Sequence, residues 1–236
     1  MRLLRRAIAA LLLGAATLAA AQDLSLPTAA LRAEARAAAE RRDWPAALPR
    51  FQRLVERHGD DVDLLIESAR VHGFADRSAE AAALYRRALA LAPQRRADIV
   101  PSLAWQALWG GAANEAVALF DELAASAQGP ARAEALDGLG QARQAAGDQA
   151  GALRAFREAH ALTPSAPRLH RRLAMSMLWN GDEAGAIREL SALVAAAPGE
   201  RDLAWALANA RNFHGQHRAA LRGFLAWPAP THPGER

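Results

Sequence analysis

Six times along this chain, a small residue is followed four positions later by a bulky one, and the six pairs recur at nearly constant spacing. Successive pairs lie 34, 35, 36, 34 and 34 residues apart. The pairs are Ala47/Phe51, Ala81/Tyr85, Ala116/Phe120, Ala152/Phe156, Ala186/Leu190 and Ala220/Phe224. A gap of four residues puts both side chains on one face of an α-helix. Six copies at one period therefore indicate a repeat array, in which stacked units bury a continuous core.

The best-defined unit spans residues 133–164 and is typical of two helices joined by a tight turn. Leu139-Gly140 lies on the apolar face of the first helix. Gly147 ends that helix, because glycine tolerates the left-handed conformation found at many helix ends. Pro164 ends the second helix, since it has no N–H to donate. The small residues let the two backbones approach closely, and Phe156 fills the remaining space.

This unit resembles the tetratricopeptide repeat, a 34-residue helix-turn-helix with Leu-Gly in its first helix, Ala and an aromatic residue in its second, and Pro at its end. The matching residues are Leu139-Gly140, Ala152, Phe156 and Pro164. The resemblance implies an all-α fold in which helix pairs stack into a right-handed superhelical solenoid. It also implies that the first helices line a concave groove where ligands, usually extended peptides, bind.

The repeat unit divides the chain into an array with short flanking segments. Residues 1–21 are predicted to be an export signal, 22–27 a linker and 229–236 a disordered tail. Residues 28–228 form the predicted array of six repeats. Their predicted bounds are about 28–61, 62–96, 97–132, 133–166, 167–200 and 201–228.

Each repeat has a predicted turn between its two helices, and two prolines disturb the pattern. We expect Pro49 to distort or delay a second helix and Pro101 to lie at the start of a first helix. The turns are predicted at Arg42-Asp43, Asp76-Arg77, Gly110-Gly111, Gly147-Asp148, Gly181-Asp182 and Gly215-Gln216.

The first 21 residues have the three parts of a secretory signal. A basic start is followed by an apolar run of about fourteen residues and by the small residues Ala19, Ala20 and Ala21. The run is short for a membrane span, so we predict cleavage before Gln22 and no stable membrane span afterwards; an uncleaved anchor is the alternative. The chain has no cysteine to carry a lipid, and the predicted location is therefore the periplasm.

The charge balance argues against a nucleic-acid partner. All 29 basic residues are arginine, against 25 acidic residues. Three arginines and no acid lie in the predicted signal, which leaves 26 arginines against 25 acids, a net charge of +1. A nearly neutral surface is a poor match for a phosphate backbone.

Mapping the groove-facing positions of the resembling family onto the first helices gives a candidate groove for a ligand or partner. Its residues are Arg70, Phe74, Trp105, Trp109, Arg171, Trp179, Trp205, Asn209, Asn212 and Phe213. A typical peptide clamp has Lys and Asn at these places, so recognition of a terminal carboxylate is not expected. Aromatic rings mixed with Arg and Asn suit peptides or sugars, which have apolar faces and polar edges.

A second interpretation is that the aromatic side chains of this set pack between adjacent first helices. Trp44, at the start of a second helix, is predicted to belong to the core. A groove-exposed Trp contributes little to stability, whereas truncating a buried one to Ala costs about 3–5 kcal/mol.

The sequence offers no motif for catalysis, a cofactor or a metal. His214 and His217 lie three residues apart, but no third ligand is identifiable. A nucleophile elbow, a phosphate loop and a metal-binding His-Glu pair are all missing. We therefore predict no catalytic residues, no cofactor, no metal site and no enzymatic activity; a periplasmic enzyme is the least favoured alternative.

The leading hypothesis is a non-enzymatic periplasmic scaffold whose groove binds a protein partner of a cell-envelope complex. The LWGG and LWNG turn entries in Ala-rich, Arg-rich repeats also resemble the periplasmic repeat regions of exopolysaccharide export proteins, such as those for cellulose or poly-N-acetylglucosamine. That resemblance implies the alternative, a carbohydrate-binding module that guides a polysaccharide during export.

Overall fold

The computed structural model describes residues 28–226, which form twelve α-helices and contain no β-strand. The predicted signal (1–21), linker (22–27) and tail (229–236) lie outside the described residues. The helices are α1 (Thr28–Glu40), α2 (Trp44–Arg57), α3 (Val62–Phe74), α4 (Ser78–Leu91), α5 (Arg96–Trp109), α6 (Ala113–Ser126), α7 (Gly129–Ala145), α8 (Gln149–Leu162), α9 (Pro167–Trp179), α10 (Glu183–Ala196), α11 (Arg201–Phe213) and α12 (His217–Ala226).

The six turns that join odd to even helices share one backbone geometry. In each turn one residue has a positive φ, between 57° and 86°, and the following N–H donates to the carbonyl five residues earlier at 2.8 or 2.9 Å. This is the Schellman arrangement that ends many helices. The residues with positive φ are Arg42, Asp76, Gly111, Gly147, Gly181 and Gly215. The predicted turns therefore lie between helices as expected.

At three of these turns, an aspartate both closes one helix and begins the next. The carboxylates of Asp43, Asp148 and Asp182 each accept a hydrogen bond from the backbone N–H three residues later, at 2.8 to 3.2 Å. Such caps satisfy amide donors at the helix start. The same short segment thus fixes where both helices of a pair end and begin.

The recurring small and bulky residues form the core. The bulky side chains of the first five second helices, α2 to α10, are at most 3% exposed, and their alanine partners are fully buried. These side chains are Phe51, Tyr85, Phe120, Phe156 and Leu190. In α12, Ala220 is buried and Phe224 is half-buried.

The chain divides into two compact units, up to residue 106 and from residue 107 onwards. In the first unit, α1 packs on α2, α2 on α3 and α3 on α4. In the second, the helices from α6 to α12 pack consecutively in the same way. Within each of these two runs, each helix thus covers the apolar face of the one before it. None of the helices in residues 28–226 combines the length and apolarity needed to cross a bilayer.

The structure does not show the delay expected from Pro49, and the expected position of Pro101 at a helix start was wrong. Helix α2 begins at Trp44 and continues through Pro49 to Arg57, so its start is not delayed. Because Pro49 has no N–H, the carbonyl four residues before it lacks its helical donor. Pro49 is exposed, so that carbonyl can bond to water instead. Pro101 is the sixth residue of α5, because a 3₁₀ turn at Pro93–Arg95 starts that helix earlier.

Two glycines in the middle of α7 allow aromatic rings to lie against the backbone. A Cβ atom on Gly140 would overlap the ring of Phe156, and one on Gly138 would overlap the ring of Phe120. Both rings are almost fully buried. The glycines therefore serve close helix packing and not a turn.

We expect Gly140→Ala to lower the free energy of unfolding by roughly 1–3 kcal/mol, because the added methyl group overpacks the core. Alanine is otherwise the better helix former by about 1 kcal/mol. Urea unfolding followed by circular dichroism measures the effect. Adding Phe156→Leu should recover part of the loss; a Gly140→Ala variant as stable as the parent would contradict the close approach.

Candidate ligand grooves

Large aromatic side chains stand exposed at the ends of four first helices. Phe74, Trp109, Trp179 and Phe213 are the last residues of α3, α5, α9 and α11 and are 70%, 62%, 60% and 68% exposed. Each lies two residues before the positive-φ residue of its turn. Exposure of this extent does not match the interpretation in which these rings pack between adjacent first helices.

The C-terminal groove, a cavity of about 920 Å³, lies between α9 and α11. On α9, residues spaced by three or four positions share one helix face, and α11 presents a matching face. The lining residues are Arg171, Met175, Leu178, Trp179, Gly181, Glu183, Asp202, Leu203, Trp205, Ala206, Asn209 and Phe213. Aromatic rings thus surround a floor of aliphatic side chains.

Trp205 holds a fixed place in the C-terminal groove. Its ring meets that of Phe224 edge-on, with centroids 4.6 Å apart and an interplanar angle of 62°. Such T-shaped pairs are a favoured aromatic arrangement. Trp205 therefore links the groove to α12 and is half-buried, unlike Trp179 and Phe213.

The charges in the C-terminal groove favour a basic ligand group. Arg171 donates to Glu200 at 3.0 Å, so its charge is compensated outside the lining. Glu183 and Asp202 also line the groove. Within the lining, two carboxylates face one arginine.

A smaller cavity of about 250 Å³ adjoins the C-terminal groove and shares Arg171, Met175 and Trp179 with it. Gln144 also lines this cavity, and its Nε2 atom is buried without a hydrogen-bond partner in the described residues. A carbonyl oxygen of a ligand could satisfy that donor.

Asp137 of α7 is a fully buried carboxylate beneath this cavity. It forms ion pairs with Arg168 and with Arg172, whose Nε lies 2.7 Å from Oδ1. Burial raises the pKa of Asp137, and the charges of Arg172 and Arg168 oppose that rise. Arg168 also pairs with Glu134 at 2.6 Å. The sequence analysis did not predict this cluster. Its one signal was Asp137 itself, a charged residue within the otherwise apolar stretch LDGLG.

The N-terminal groove, of about 570 Å³, lies within the first unit. It is lined by four arginines, three carboxylates and a hydrophobic set, namely Arg32, Arg36, Arg70, Arg95, Glu40, Asp63, Glu67, Ala39, Trp44, Phe51, Ile66, Val71 and Phe74. Trp44 is half-buried, so the residue predicted for the core also reaches this groove.

Glu67 links two arginines of the preceding first helix. Arg32 Nε donates to it at 2.8 Å, and Arg36 Nη2 donates at 3.0 Å. Burial raises the pKa of Glu67, but the hydrogen bonds and charges of Arg36 and Arg32 together outweigh burial and hold that pKa below its ordinary value. Arg70 has no carboxylate partner among residues 28–226 and remains available to a ligand.

The predicted site residues divide between these places. Arg171, Trp179, Trp205, Asn209 and Phe213 come together in the C-terminal groove. Arg70 and Phe74 line the N-terminal groove. Trp105 and Trp109 are not among the residues that line these two grooves.

Asn212, also predicted for the groove, contacts the first residue of α12 instead. Its Oδ1 lies 3.1 Å from Nδ1 of His217. Within the described range, no group of three or more His, Cys, Asp or Glu side chains is arranged to hold a metal ion.

Comparisons with known proteins identify the fold. No protein-family model and no curated protein matches the sequence. A tetratricopeptide repeat protein from Parabacteroides merdae is similar in structure, with a TM-score of 0.69, 16% identity, and coverage of 86% of this chain and 81% of that one. PilW, a type IV pilus biogenesis factor, gives a TM-score of 0.64 at 17% identity over 84% of this chain and 91% of its own.

A third similar structure is YrrB, described as a tetratricopeptide repeat protein with an unusual peptide-binding site. Its TM-score is 0.56 at 18% identity, over 74% of this chain and 88% of its own. The fold of this chain is therefore the all-α solenoid of tetratricopeptide repeat proteins, and the resemblance of its repeat unit to the tetratricopeptide repeat is confirmed.

We expect Glu67→Gln to flatten the acid side of the stability profile. The pKa of Glu67 lies below its ordinary value of 4.5, so ionised Glu67 stabilises the fold above that pH. This contribution is lost as the pH falls through the folded-state pKa. Thermal melts from about pH 7 to pH 3 should show a steeper loss for the parent than for the variant. At neutral pH the variant should be less stable by about 1 kcal/mol; equal slopes would contradict the ion-pair geometry.

Proposed function

We propose that this chain is a non-enzymatic scaffold that binds a protein partner through its C-terminal groove. The observation that carries the proposal is the set of Trp179, Trp205 and Phe213 around an aliphatic floor. A groove of about 920 Å³ falls in the range of sites that enclose a ligand. Aromatic anchors of this kind dominate binding energy at protein interfaces.

The floor of the groove favours a peptide over a sugar. Met175, Leu178 and Leu203 would contact whatever reaches the bottom. Apolar side chains of a peptide gain by burial there, whereas sugar hydroxyls lose water without finding hydrogen-bond partners. Glu183 and Asp202 suit a basic residue next to the apolar ones. The proposed ligand is therefore an extended segment with apolar side chains and at least one Lys or Arg.

One observation favours the alternative, a module that guides an exopolysaccharide. The rings of Trp179 and Phe213 are more than half exposed, and exposed ring faces can stack on pyranose rings. Asn209 and Arg171 could bond to hydroxyls at the rim.

We also propose that the partner belongs to a cell-envelope complex and that the chain works in the periplasm. The support is the basic, apolar and small-residue pattern of residues 1–21. Removal of that segment would leave a nearly neutral chain, suited to protein contacts.

The groove proposal is tested with Trp179→Ala. Because the ring is 60% exposed, the free energy of unfolding should change by no more than about 0.5 kcal/mol. Affinity capture from envelope extract, with mass spectrometry, should recover a specific protein with the parent and lose it with Trp179→Ala. Tryptophan-emission titrations with cellohexaose and with oligo-N-acetylglucosamine test the alternative in parallel.

Leu91→Ala is the matched control, since Leu91 is 49% exposed on α4 and lines neither groove. It should capture the same protein as the parent. A saturable emission shift with a glycan, lost in Trp179→Ala, would favour the carbohydrate module. A captured protein retained by Trp179→Ala would contradict the C-terminal groove as the binding site.

The location is tested by expressing the full chain and separating the cell fractions. We expect the mature protein in the osmotic-shock fraction with Gln22 as its first residue. Intact-mass measurement checks the cleavage site, and an Ala19→Arg/Ala21→Arg variant should remain unprocessed. An intact chain starting at Met1 in the membrane fraction would instead indicate an anchor.

A further inference from the structure

Helix α12 carries two apolar side chains that are more than half exposed within the described residues. Leu221 is 57% exposed and Leu225 is 74% exposed. They lie four positions apart and share one face. Of the residues in α12, only Ala220 is fully buried. This face is separate from both grooves.

Leu221 occupies a position that is used for packing in the other repeats. The residue six places after the positive-φ residue is apolar in every repeat, and in α8 and α10 it is Leu153 and Ile187. Those two pack against the buried core formed by α8 to α11. In each case the next helix of the array covers the second helix. Leu221 thus belongs to a surface shaped to receive another helix.

Leu225 departs from the pattern of the array. The five equivalent residues are all polar, namely Gln52, Arg86, Asp121, Arg157 and Ser191. At this position the other second helices turn a polar side chain outwards; four of these residues are exposed and Ser191 is half-buried. Only α12 places a leucine there, which extends its apolar face beyond that of a regular repeat.

Two arginines flank the leucines. Arg218 and Arg222 are exposed and lie three residues before Leu221 and Leu225, on the same side of the helix. Helix α12 contains no acidic residue, and neither arginine forms an ion pair within residues 28–226. The face therefore combines apolar contact area with two uncompensated positive charges.

The charges decide between possible occupants. A second copy that docked through the same face would bring four arginines together without a carboxylate, and like charges across an interface are unfavourable. Consecutive repeats of this chain are instead bridged by arginine–carboxylate pairs, such as Arg32–Glu67 at 2.8 Å and Arg168–Glu134 at 2.6 Å. The occupant that fits has carboxylates beside its apolar residues.

We infer that the exposed face of α12 docks an acidic amphipathic helix of a partner protein. This helix would take the place that the next first helix takes elsewhere in the array. The edge-on contact of Trp205 with Phe224 anchors α12 to α11, so the surface is formed before binding. The partner helix would dock on α12 and not in the C-terminal groove, so its binding does not depend on a ligand in that groove.

The test uses two labelled synthetic helical peptides about 18 residues long, a length at which an isolated helix can form. One has leucines at i, i+4, i+7 and i+11 flanked by glutamates, and the other has lysine at every glutamate position. Fluorescence anisotropy with the full mature chain should show saturable binding of the Glu peptide and binding weaker by about tenfold or more for the Lys peptide.

Three variants locate the binding site. Arg218→Glu/Arg222→Glu should reverse the preference between the two peptides. Leu221→Ser/Leu225→Ser should lose both, while its melting temperature stays at that of the parent because these side chains are exposed. Trp179→Ala should bind the Glu peptide like the parent, which separates this surface from the C-terminal groove.

Several results would overturn the inference. Failure of the parent to bind the Glu peptide, equal binding of both peptides, or an unchanged preference after the charge reversal would each do so. A dimer in sedimentation that Leu225→Ser dissociates would show that a second copy occupies the face. Binding that appears only when the chain is cut after Ala226 would show that residues 227–236 occupy it.

Discussion

The structure depends on how closely the two helices of a pair approach each other. In α7 and α8 the approach is set by Gly140, against which the ring of Phe156 lies. A buried aromatic or leucine recurs in the first five second helices, each with a buried alanine four residues before it. Since the turns also share one hydrogen-bond pattern, the pairs repeat with the same local geometry. The groove residues obtain their positions from this regular packing.

Arginine–carboxylate pairs add a second layer of contacts between successive first helices. Arg32 and Arg36 bind Glu67, Arg168 binds Glu134, and Arg171 binds Glu200. These pairs place much of the positive charge beside acidic groups, although every basic residue is arginine. The bidentate guanidinium suits such bridges better than an ammonium group does. The two grooves differ in the charged lining residues that form no ion pair within residues 28–226. These are Arg70 and Glu40 in the N-terminal groove, and Glu183 and Asp202 in the C-terminal groove.

The sequence predicts most of the fold, because period, turn and core residues repeat together. The turn at Gly147 and the buried Phe156 follow directly from the spacing. Pro49 and Pro101 were misjudged because local helix propensity was weighed without the packing that holds α2 and α5 in place. The exposed ring of Trp179 follows from its register before the turn. The ion pair of Asp137 does not, because it joins side chains about one repeat apart whose direction depends on stacking.

The buried carboxylate of Asp137 distinguishes the fourth and fifth repeats from the other repeats of this array. It is compensated by Arg168 and Arg172, two residues of α9 at i and i+4. The other first helices do not carry arginine at both of these positions. If another first helix took the place of α9, the carboxylate of Asp137 would remain buried without its two arginine partners. The free-energy penalty for such a buried charge is several kcal/mol. The order of the fourth and fifth helix pairs therefore depends on charge, because exchanging either pair for another would destabilise that junction even though the helices have nearly the same shape.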